Sequence, residues 1–318
     1  MRKKVTFLGA GNVGATAAMQ LAKLDFIDIV LVGGIHEGRA KGKALDMTEA
    51  SAMENYQGMI NGYTKNFSDT KDSDVIVFSA GMARKPGMSR DDLLFSNRDI
   101  VQSMVREVAP LSPNAILIMV TNPLDAMCHI ALEASGFSKK KVIGMAGVLD
   151  SSRFATFIAL ELNVSVDNVN ALVLGGHGDS MVPLLNYTRV AGIPLTDFLS
   201  MERISAIMHR TRTSGMEIVE LLKEGSAYYA PAYAIKTMVE SILKDKKKIL
   251  PCSTYLEGEY GINGLFMGVP IKLGSNGVEQ IIEVTLTDIE KRDFKRSADS
   301  VKVLVDVMKN GSQKACSA

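Results

Sequence analysis

A formal net charge of +1 leaves this chain of 318 residues without the basic excess that a phosphate backbone asks of its binder, so nucleic acid is not its expected partner. Cysteine is scarce too, and Cys128, Cys252 and Cys316 form no CxxC pair and no metal-ligand cluster. An odd, scattered set of thiols fits a reducing compartment, not a disulfide framework. No apolar run approaches the roughly 20 residues that a membrane helix needs. The basic head Met1-Arg2-Lys3-Lys4 precedes an apolar stretch that stops at Gly9-Ala10-Gly11, too soon for a secretory signal. A cytoplasmic location is expected. There is no internal repeat and no linker-like segment, and 47% hydrophobic with 22% charged residues excludes disorder and collagen-like order.

What is present is an alternation. Val5–Leu8, Ile29–Val32, Val75–Ser79 and Ile116–Val120 are β-rich apolar runs of buried-strand length, separated by helical stretches over Val13–Leu24, Lys41–Met53 and Leu93–Ala109. Strands alternating with helices predict βαβ units and a parallel sheet covered on both faces, hence an α/β, doubly wound, Rossmann-like lobe. The second half predicts a helix after Leu149, helices over Met201–Lys223 and Pro231–Lys244, strands over Phe266–Leu273 and Gln280–Leu286, and a last helix over Asp288–Met308. A single core stops growing near roughly 250–300 residues. The expected division is therefore a dinucleotide-binding domain over 1–145, an α+β substrate and catalytic domain over 146–310, and a fraying polar tail over 311–318.

Val5-Thr6-Phe7-Leu8 runs straight into Gly9-Ala10-Gly11-Asn12-Val13-Gly14, a GxGxxG turn between a strand and a helix. The first glycine permits the turn, the second lets the backbone approach a pyrophosphate, and the third lets helix and strand pack closely. The anion would sit at the helix N-terminus. The next strand ends Leu31-Val32-Gly33-Gly34-Ile35, with no acid at its tip to bind the adenosine ribose or to repel a 2′-phosphate. His36, Arg39 and Lys41 offer positive charge nearby. The choice between NAD and NADP stays open.

Further stretches hold the candidate chemistry. Ala83-Arg84-Lys85-Pro86-Gly87-Met88-Ser89-Arg90 follows a strand and brackets a Pro-Gly turn with arginines, which suits a loop that closes over an anion and equally suits a basic surface loop. Asn122, in Thr121-Asn122-Pro123-Leu124-Asp125, offers an amide to a ligand or simply forms the turn before proline. Asp150, in Asp150-Ser151-Ser152-Arg153, is an N-cap or a carboxylate aimed at a partner, and Arg153 one turn on can grip a carboxylate. Of the four histidines, only His177 lies among glycines, in Gly175-Gly176-His177-Gly178-Asp179.

With these five motifs in this order, from Val5 to about Met308, the chain resembles the malate and lactate dehydrogenase family, and within it the lactate-dehydrogenase-like malate dehydrogenases of bacteria. The resemblance implies hydride transfer between a nicotinamide dinucleotide and a small 2-hydroxy acid. His177 would be the proton donor and acceptor, Asp150 its orienting carboxylate, Arg153 the clamp on the C1 carboxylate, and Arg90 the group polarising the carbonyl. Asn122 would contact substrate and cofactor. Gly9, Gly11, Asn12, Val13, Gly14, Asn97 and Val120 would line the cofactor, with Gly34 where NAD-using relatives carry aspartate. Arg84 would read the far end of the substrate, and an arginine there suits the second carboxylate of oxaloacetate. With pyruvate it would be unpaired at a cost of about 2–5 kcal/mol, a preference of roughly 30- to 5,000-fold. A homodimer or homotetramer is implied. The rival readings are a lactate or broader 2-hydroxy-acid dehydrogenase and, in another class, a nucleotide-binding regulator without turnover.

Overall fold

The structure, a computed structural model, describes residues 2–33, 38–64, 66–82 and 90–315, the side chains of Arg90 and of residues 310–315 excepted. Six short strands alternate with four helices through the first half: β1 (Lys3–Leu8), α1 (Asn12–Ala22), β2 (Ile27–Val32), α2 (Arg39–Glu54), β3 (Ile60–Tyr63), β4 (Val75–Phe78), α3 (Arg90–Val108), β5 (Ile116–Met119), α4 (Leu124–Ser135) and β6 (Val142–Gly144). All six strands run parallel in the order β6-β5-β4-β1-β2-β3. The order reverses between β1 and β4, so the crevice outside their carboxyl ends is where such a sheet takes its ligand. Val75–Phe78 and Ile116–Met119 are buried at every position, as expected for strands with helices on both faces.

The second half opens with α5 (Gly147–Leu162), followed by five two-residue strands, β7 (Val169–Asn170), β8 (Val173–Leu174), β9 (Val182–Pro183), β10 (Arg189–Val190) and β11 (Ile193–Pro194). Two helices come next, α6 (Met201–Leu222) and α7 (Tyr229–Leu243), then β12 (Lys248–Glu257), β13 (Asn263–Gly274), β14 (Gly277–Ile281) and α8 (Asp288–Ala315). β12, β13 and β14 form an antiparallel meander that extends the parallel sheet to nine strands. It joins the edge strand β6 where Ser253 pairs with Gly144. A Cβ on Gly144 would lie 2.7 Å from Ser253 Cβ and 2.9 Å from Cys128 Sγ, so only glycine allows the seam to close. A Thr287-x-x-Glu290 capping box starts α8: Thr287 N–H donates to Glu290 Oε2 (2.8 Å), and Glu290 N–H donates to Thr287 Oγ1 (3.2 Å).

Several elements depart from the sequence-based expectations. α4 lies in a run, Leu124–Ala131, that is buried throughout and so carries no amphipathic period to announce a helix. β12 was hidden by Pro251 and by the mixed character of KILPCSTYLE. The last strand is Gly277–Ile281, not Gln280–Leu286: Ile282 N–H still donates to Pro270 O of β13, but two residues on Val284 N–H turns instead to the Tyr260 hydroxyl. The last helix continues to Ala315, where a tail was expected from Gly311; apart from that glycine, its final turn is built of residues that helices tolerate. Among the described residues no helix is long and apolar enough to cross a membrane.

Most buried apolar residues form one core around the sheet, and a smaller cluster gathers Phe154, Ile158, Val190 and Ile204 between α5 and α6. Phe7 sits at the centre of the larger core, paired with Leu31 on one side and Val77 on the other. Phe7→Ala is expected to lower stability by about 3–5 kcal/mol, read as a lower urea midpoint; a midpoint that does not move would show that this region of the sheet is not cooperatively packed.

Candidate active site

The glycine turn closes over the end of β1. Gly9 has φ +116°, and a Cβ there would lie 2.5 Å from the Ala80 nitrogen, in the loop after β4. A Cβ on Gly14 would lie 2.1 Å from Gly9 O, which fixes how closely α1 approaches the strand. Gly11 is different: nothing in the protein comes within 4 Å of the Cβ position, so its small size leaves room for something else. Gly11 is also the N-cap of α1, without a side-chain cap and with no acid in the first turn. The first backbone N–H groups of α1, from Asn12 to Gly14, have no intrahelical acceptor, so an anion fits there.

Lys43, which the sequence reading did not single out, donates from Nζ to Gly11 O at 3.2 Å and adds positive charge beside that turn. Burial, then the neighbouring Arg39, holds its ammonium below the usual lysine value. Gly33 is the first residue beyond β2, its N–H donating to Tyr63 O at 2.6 Å. The tip there is crowded, since a Cβ would lie 3.1 Å from Ala40 Cβ. Gly34 and His36 lie outside the described residues, while Arg39 and Lys41 sit in the first turn of α2.

The loops after β4 and β5 are laced together. Thr121 Oγ1 donates to Ala80 O (2.6 Å). Asn97, on α3, is buried and accepts from Met82 N–H (2.7 Å) while donating to Asn122 O (2.8 Å). Its amide is thus committed to backbone and holds both loops from beneath. Val120 is half-buried at the end of β5, its N–H donating to Phe78 O, and Asn122 is exposed, followed by a cis peptide to Pro123.

His177 is delivered from the other half. Gly175 pairs with Gly268 of β13 through two backbone bonds of 2.9 and 3.0 Å. Gly176 N–H donates to Ser297 Oγ on α8 (2.8 Å), and His177 N–H donates to Asp125 Oδ2 on α4 (2.8 Å). The imidazole turns its Nδ1 to Asp150 Oδ2 at 2.9 Å, with 13% of the His177 side chain and 2% of Asp150 accessible. Because α5 begins at Gly147, Asp150 lies in its first turn and caps nothing; it is the carboxylate aimed at a partner. Arg153 Nη1 stands 3.6 Å from Asp150 Oδ1, the buried side-chain oxygen that has no hydrogen-bond partner among the described residues. A carboxylate accepting at Nδ1 fixes the proton on that nitrogen and leaves Nε2 for proton exchange.

The charges then compete. Burial, the largest influence, favours neutral imidazole; Asp150, by its charge and its hydrogen bond, and Asp125 outweigh it against the opposing Arg153, so His177 rises above its ordinary value. His129 contrasts with it. Burial, then Lys309, pushes it down to about 4, and its Nε2 accepts from Phe266 N–H (3.2 Å) inside the core. His209 is exposed on α6.

The structure thus brings His177, Asp150 and Arg153 together. Arg84 lies outside the described residues, and Arg90 is described only as the first residue of α3. Asp125 stood in the sequence as the last residue of Thr121-Asn122-Pro123-Leu124-Asp125, with no role of its own, and Ser297 gave no signal.

A doubly wound sheet with an anion-ready first turn, joined to a lobe that carries a carboxylate-paired histidine, is the architecture of the nicotinamide dinucleotide dehydrogenases. Residues 3–144 match the lactate/malate dehydrogenase NAD binding domain, and residues 147–314 match the lactate/malate dehydrogenase alpha/beta C-terminal domain. The chain belongs to the lactate/malate dehydrogenase family. Malate dehydrogenase of Thermomicrobium roseum is 55% identical over 309 residues, covering 97% of this chain and 99% of the relative, and that of a Roseiflexus species is 52% identical with the same coverage. The solved malate dehydrogenase of Salinibacter ruber superposes with TM-score 0.93 at 47% identity, over 98% of this chain and 99% of that one. A lactate dehydrogenase of Cryptosporidium parvum, solved with lactic acid and nicotinamide adenine dinucleotide, superposes with TM-score 0.94 at 40% identity, again over 98% and 99%.

The two outer glycines of the turn and the middle one answer to different constraints, and substitution separates them. Gly9→Ala is expected to lower the melting temperature and to weaken NADH binding at least about tenfold, a loss of about 1.4 kcal/mol. Gly11→Ala is expected to weaken NADH binding while leaving the melting temperature in place. Titrating NADH fluorescence beside a thermal melt reads both; unaltered binding in Gly11→Ala would remove the cofactor from this turn.

Proposed function

We propose that the chain is a malate dehydrogenase, interconverting malate and oxaloacetate, with His177 as the group that exchanges the hydroxyl proton. The observation that carries this reading is the 2.9 Å contact between His177 Nδ1 and the buried Asp150 carboxylate, with Arg153 beside it. In malate oxidation His177 Nε2 takes the proton from the C2 hydroxyl, and Asp150 stabilises the imidazolium that results. Arg153 grips the C1 carboxylate with two parallel hydrogen bonds once substrate shares its guanidinium with Asp150. Arg90 opposes the charge that develops on the C2 oxygen. The nicotinamide supplies the hydride acceptor when bound. Gly9, Gly11 and Gly14 shape its cradle, with the first N–H groups of α1 facing the pyrophosphate and Asn97 holding the loops that border it.

Malate is favoured over lactate by the identities of 52–55% to malate dehydrogenases and by Arg84, whose charge asks for a second substrate carboxylate. NAD is the assigned cofactor, with little exclusion of NADP. The tip of β2 carries no acid, Arg39 opens the helix that follows it, and Lys43 adds positive charge at the glycine turn. The division at 145/146 separates this cofactor side from the substrate side. Exposed apolar side chains such as Leu45, Met53, Leu160 and Leu221 suit contact with further copies of the chain, as a homodimer or homotetramer. The buried free thiols Cys128 and Cys252 accord with a reducing, cytoplasmic setting.

The test is consumption of NADH or NADPH with oxaloacetate or pyruvate. Rapid turnover with oxaloacetate and slow turnover with pyruvate is expected; the reverse would overturn the substrate assignment, and binding of NADH without turnover would favour a regulator. Malate oxidation requires neutral His177, so kcat/KM falls as pH drops through its pKa, and this acid limb is expected above about 6.5. Asp150→Asn is expected to lower kcat on the order of ten-thousandfold and to move that limb to lower pH, because the charge holding the imidazolium is gone. Arg84→Gln is expected to raise pyruvate turnover relative to oxaloacetate, and an unmoved ratio would dismiss Arg84 as the selector.

A further inference from the structure

Behind His177 lies a second buried carboxylate with no part in the chemistry above. Asp125 stands in the first turn of α4 and is 5% accessible. Its Oδ2 accepts the His177 backbone N–H at 2.8 Å, and its Oδ1 accepts the Ser253 hydroxyl at 2.6 Å. Three segments meet on this one side chain: the helix that follows Asn122-Pro123, the loop bearing His177, and β12 at its seam with β6. A Cβ on Gly176 would lie 3.3 Å from Oδ2, so the loop is seated directly against the carboxylate. We infer that Asp125 is a positioning residue for the acid–base step. It fixes His177 relative to the Asn122 loop and places a second negative charge, beside that of Asp150, where the imidazolium forms.

The inference rests on His177 being the proton-exchanging group of the proposed reaction. Among the described residues the charged groups acting on His177 are Asp150 and Arg153 from α5 and Asp125 from α4; α8 presents the uncharged Ser297 hydroxyl, which accepts from Gly176 N–H. Burial raises the Asp125 carboxyl above the ordinary carboxylate value, while the Ser253 and His177 donors work to keep it ionised. A tether alone would need no acid. The adjacent Gly176 N–H is held by the hydroxyl of Ser297, so an uncharged acceptor serves the same loop one residue away.

That pair of anchors supplies the experiment. Asp125→Asn keeps an acceptor for the His177 N–H and removes the charge; Ser297→Ala removes a tether and leaves every charge in place. In Asp125→Asn the acid limb of kcat/KM for malate is expected to move to lower pH by roughly one unit, and oxaloacetate reduction at neutral pH to slow as imidazolium becomes scarcer. Ser297→Ala is expected to lower kcat with the limb unmoved. The same limb in Asp125→Asn as in the unsubstituted protein, or equal shifts in the two variants, would overturn the inference. Should Asp125→Asn fail to fold, Ser253→Ala decides. It strips one donor from the carboxylate, favours its protonation and is expected to move the limb the same way by less; a stationary limb would again overturn it. An NMR titration of the His177 ring in each protein reads the same shift without turnover. Absence of oxaloacetate reduction in the unsubstituted protein would therefore count against the proposed function, and an unmoved ring titration against Asp125.

Discussion

Across the seam between the halves runs a row of four backbone-paired residues: Gly144 of β6 against Ser253 of β12, Ser253 against Gly268 of β13, and Gly268 against Gly175 of the loop that carries His177. The row is small-residued for steric reasons at each step. A Cβ on Gly268 would lie 2.5 Å from Gly175 O, and one on Gly175 would lie 2.8 Å from Ser297 Oγ. Its two ends lead into the two sides of the histidine pair. Three residues beyond Gly144 comes Gly147, where α5 begins and aims Asp150; two beyond Gly175 comes His177. The 2.9 Å contact is therefore set by sheet register, and a slip of one residue in β12 would separate the partners.

Register fixes distance, but burial decides what the distance is worth. Asp150 is held almost wholly out of water with one oxygen on His177 and the other unbonded, 3.6 Å from Arg153. That oxygen lacks a hydrogen bond but has a counter-charge in the Arg153 guanidinium. Asp125 is treated differently, with both oxygens bonded and directed into the protein. One carboxylate is left partly unsatisfied toward the site, while the other is fully engaged beneath it.

The sequence already carried the four inner strands of the parallel sheet, β1, β2, β4 and β5, the glycine turn and the short motifs around Asn122, Asp150 and His177, because each is a local pattern. It carried little of how they meet. His177 lies 27 residues from Asp150 and 52 from Asp125, and its loop is anchored by Ser297, 121 residues beyond Gly176. Such pairings leave no periodicity. α4 escaped notice for the opposite reason: its first eight residues are all buried and show no exposed polar face to reveal the turn. Lys43 was overlooked because its partner is a backbone carbonyl on another element, which no spacing rule encodes.

The scaffold is also silent on substrate choice, since malate and lactate dehydrogenases superpose on it equally well, with TM-scores of 0.93 and 0.94. The charges around His177 answer to the C1 carboxylate, which both substrates carry. On the proposed reaction, the free site balances Asp150 against Arg153, and the field of that guanidinium works against protonation of His177. A substrate carboxylate binding to Arg153 cancels the field and leaves Asp150 to the imidazole alone. Oxaloacetate thus raises the proton affinity of the residue that must protonate it, and malate finds the same pair ready to hold the proton it gives up. On that proposal Arg153 would act twice, by gripping the ligand and by making the charge of His177 depend on whether the grip is filled.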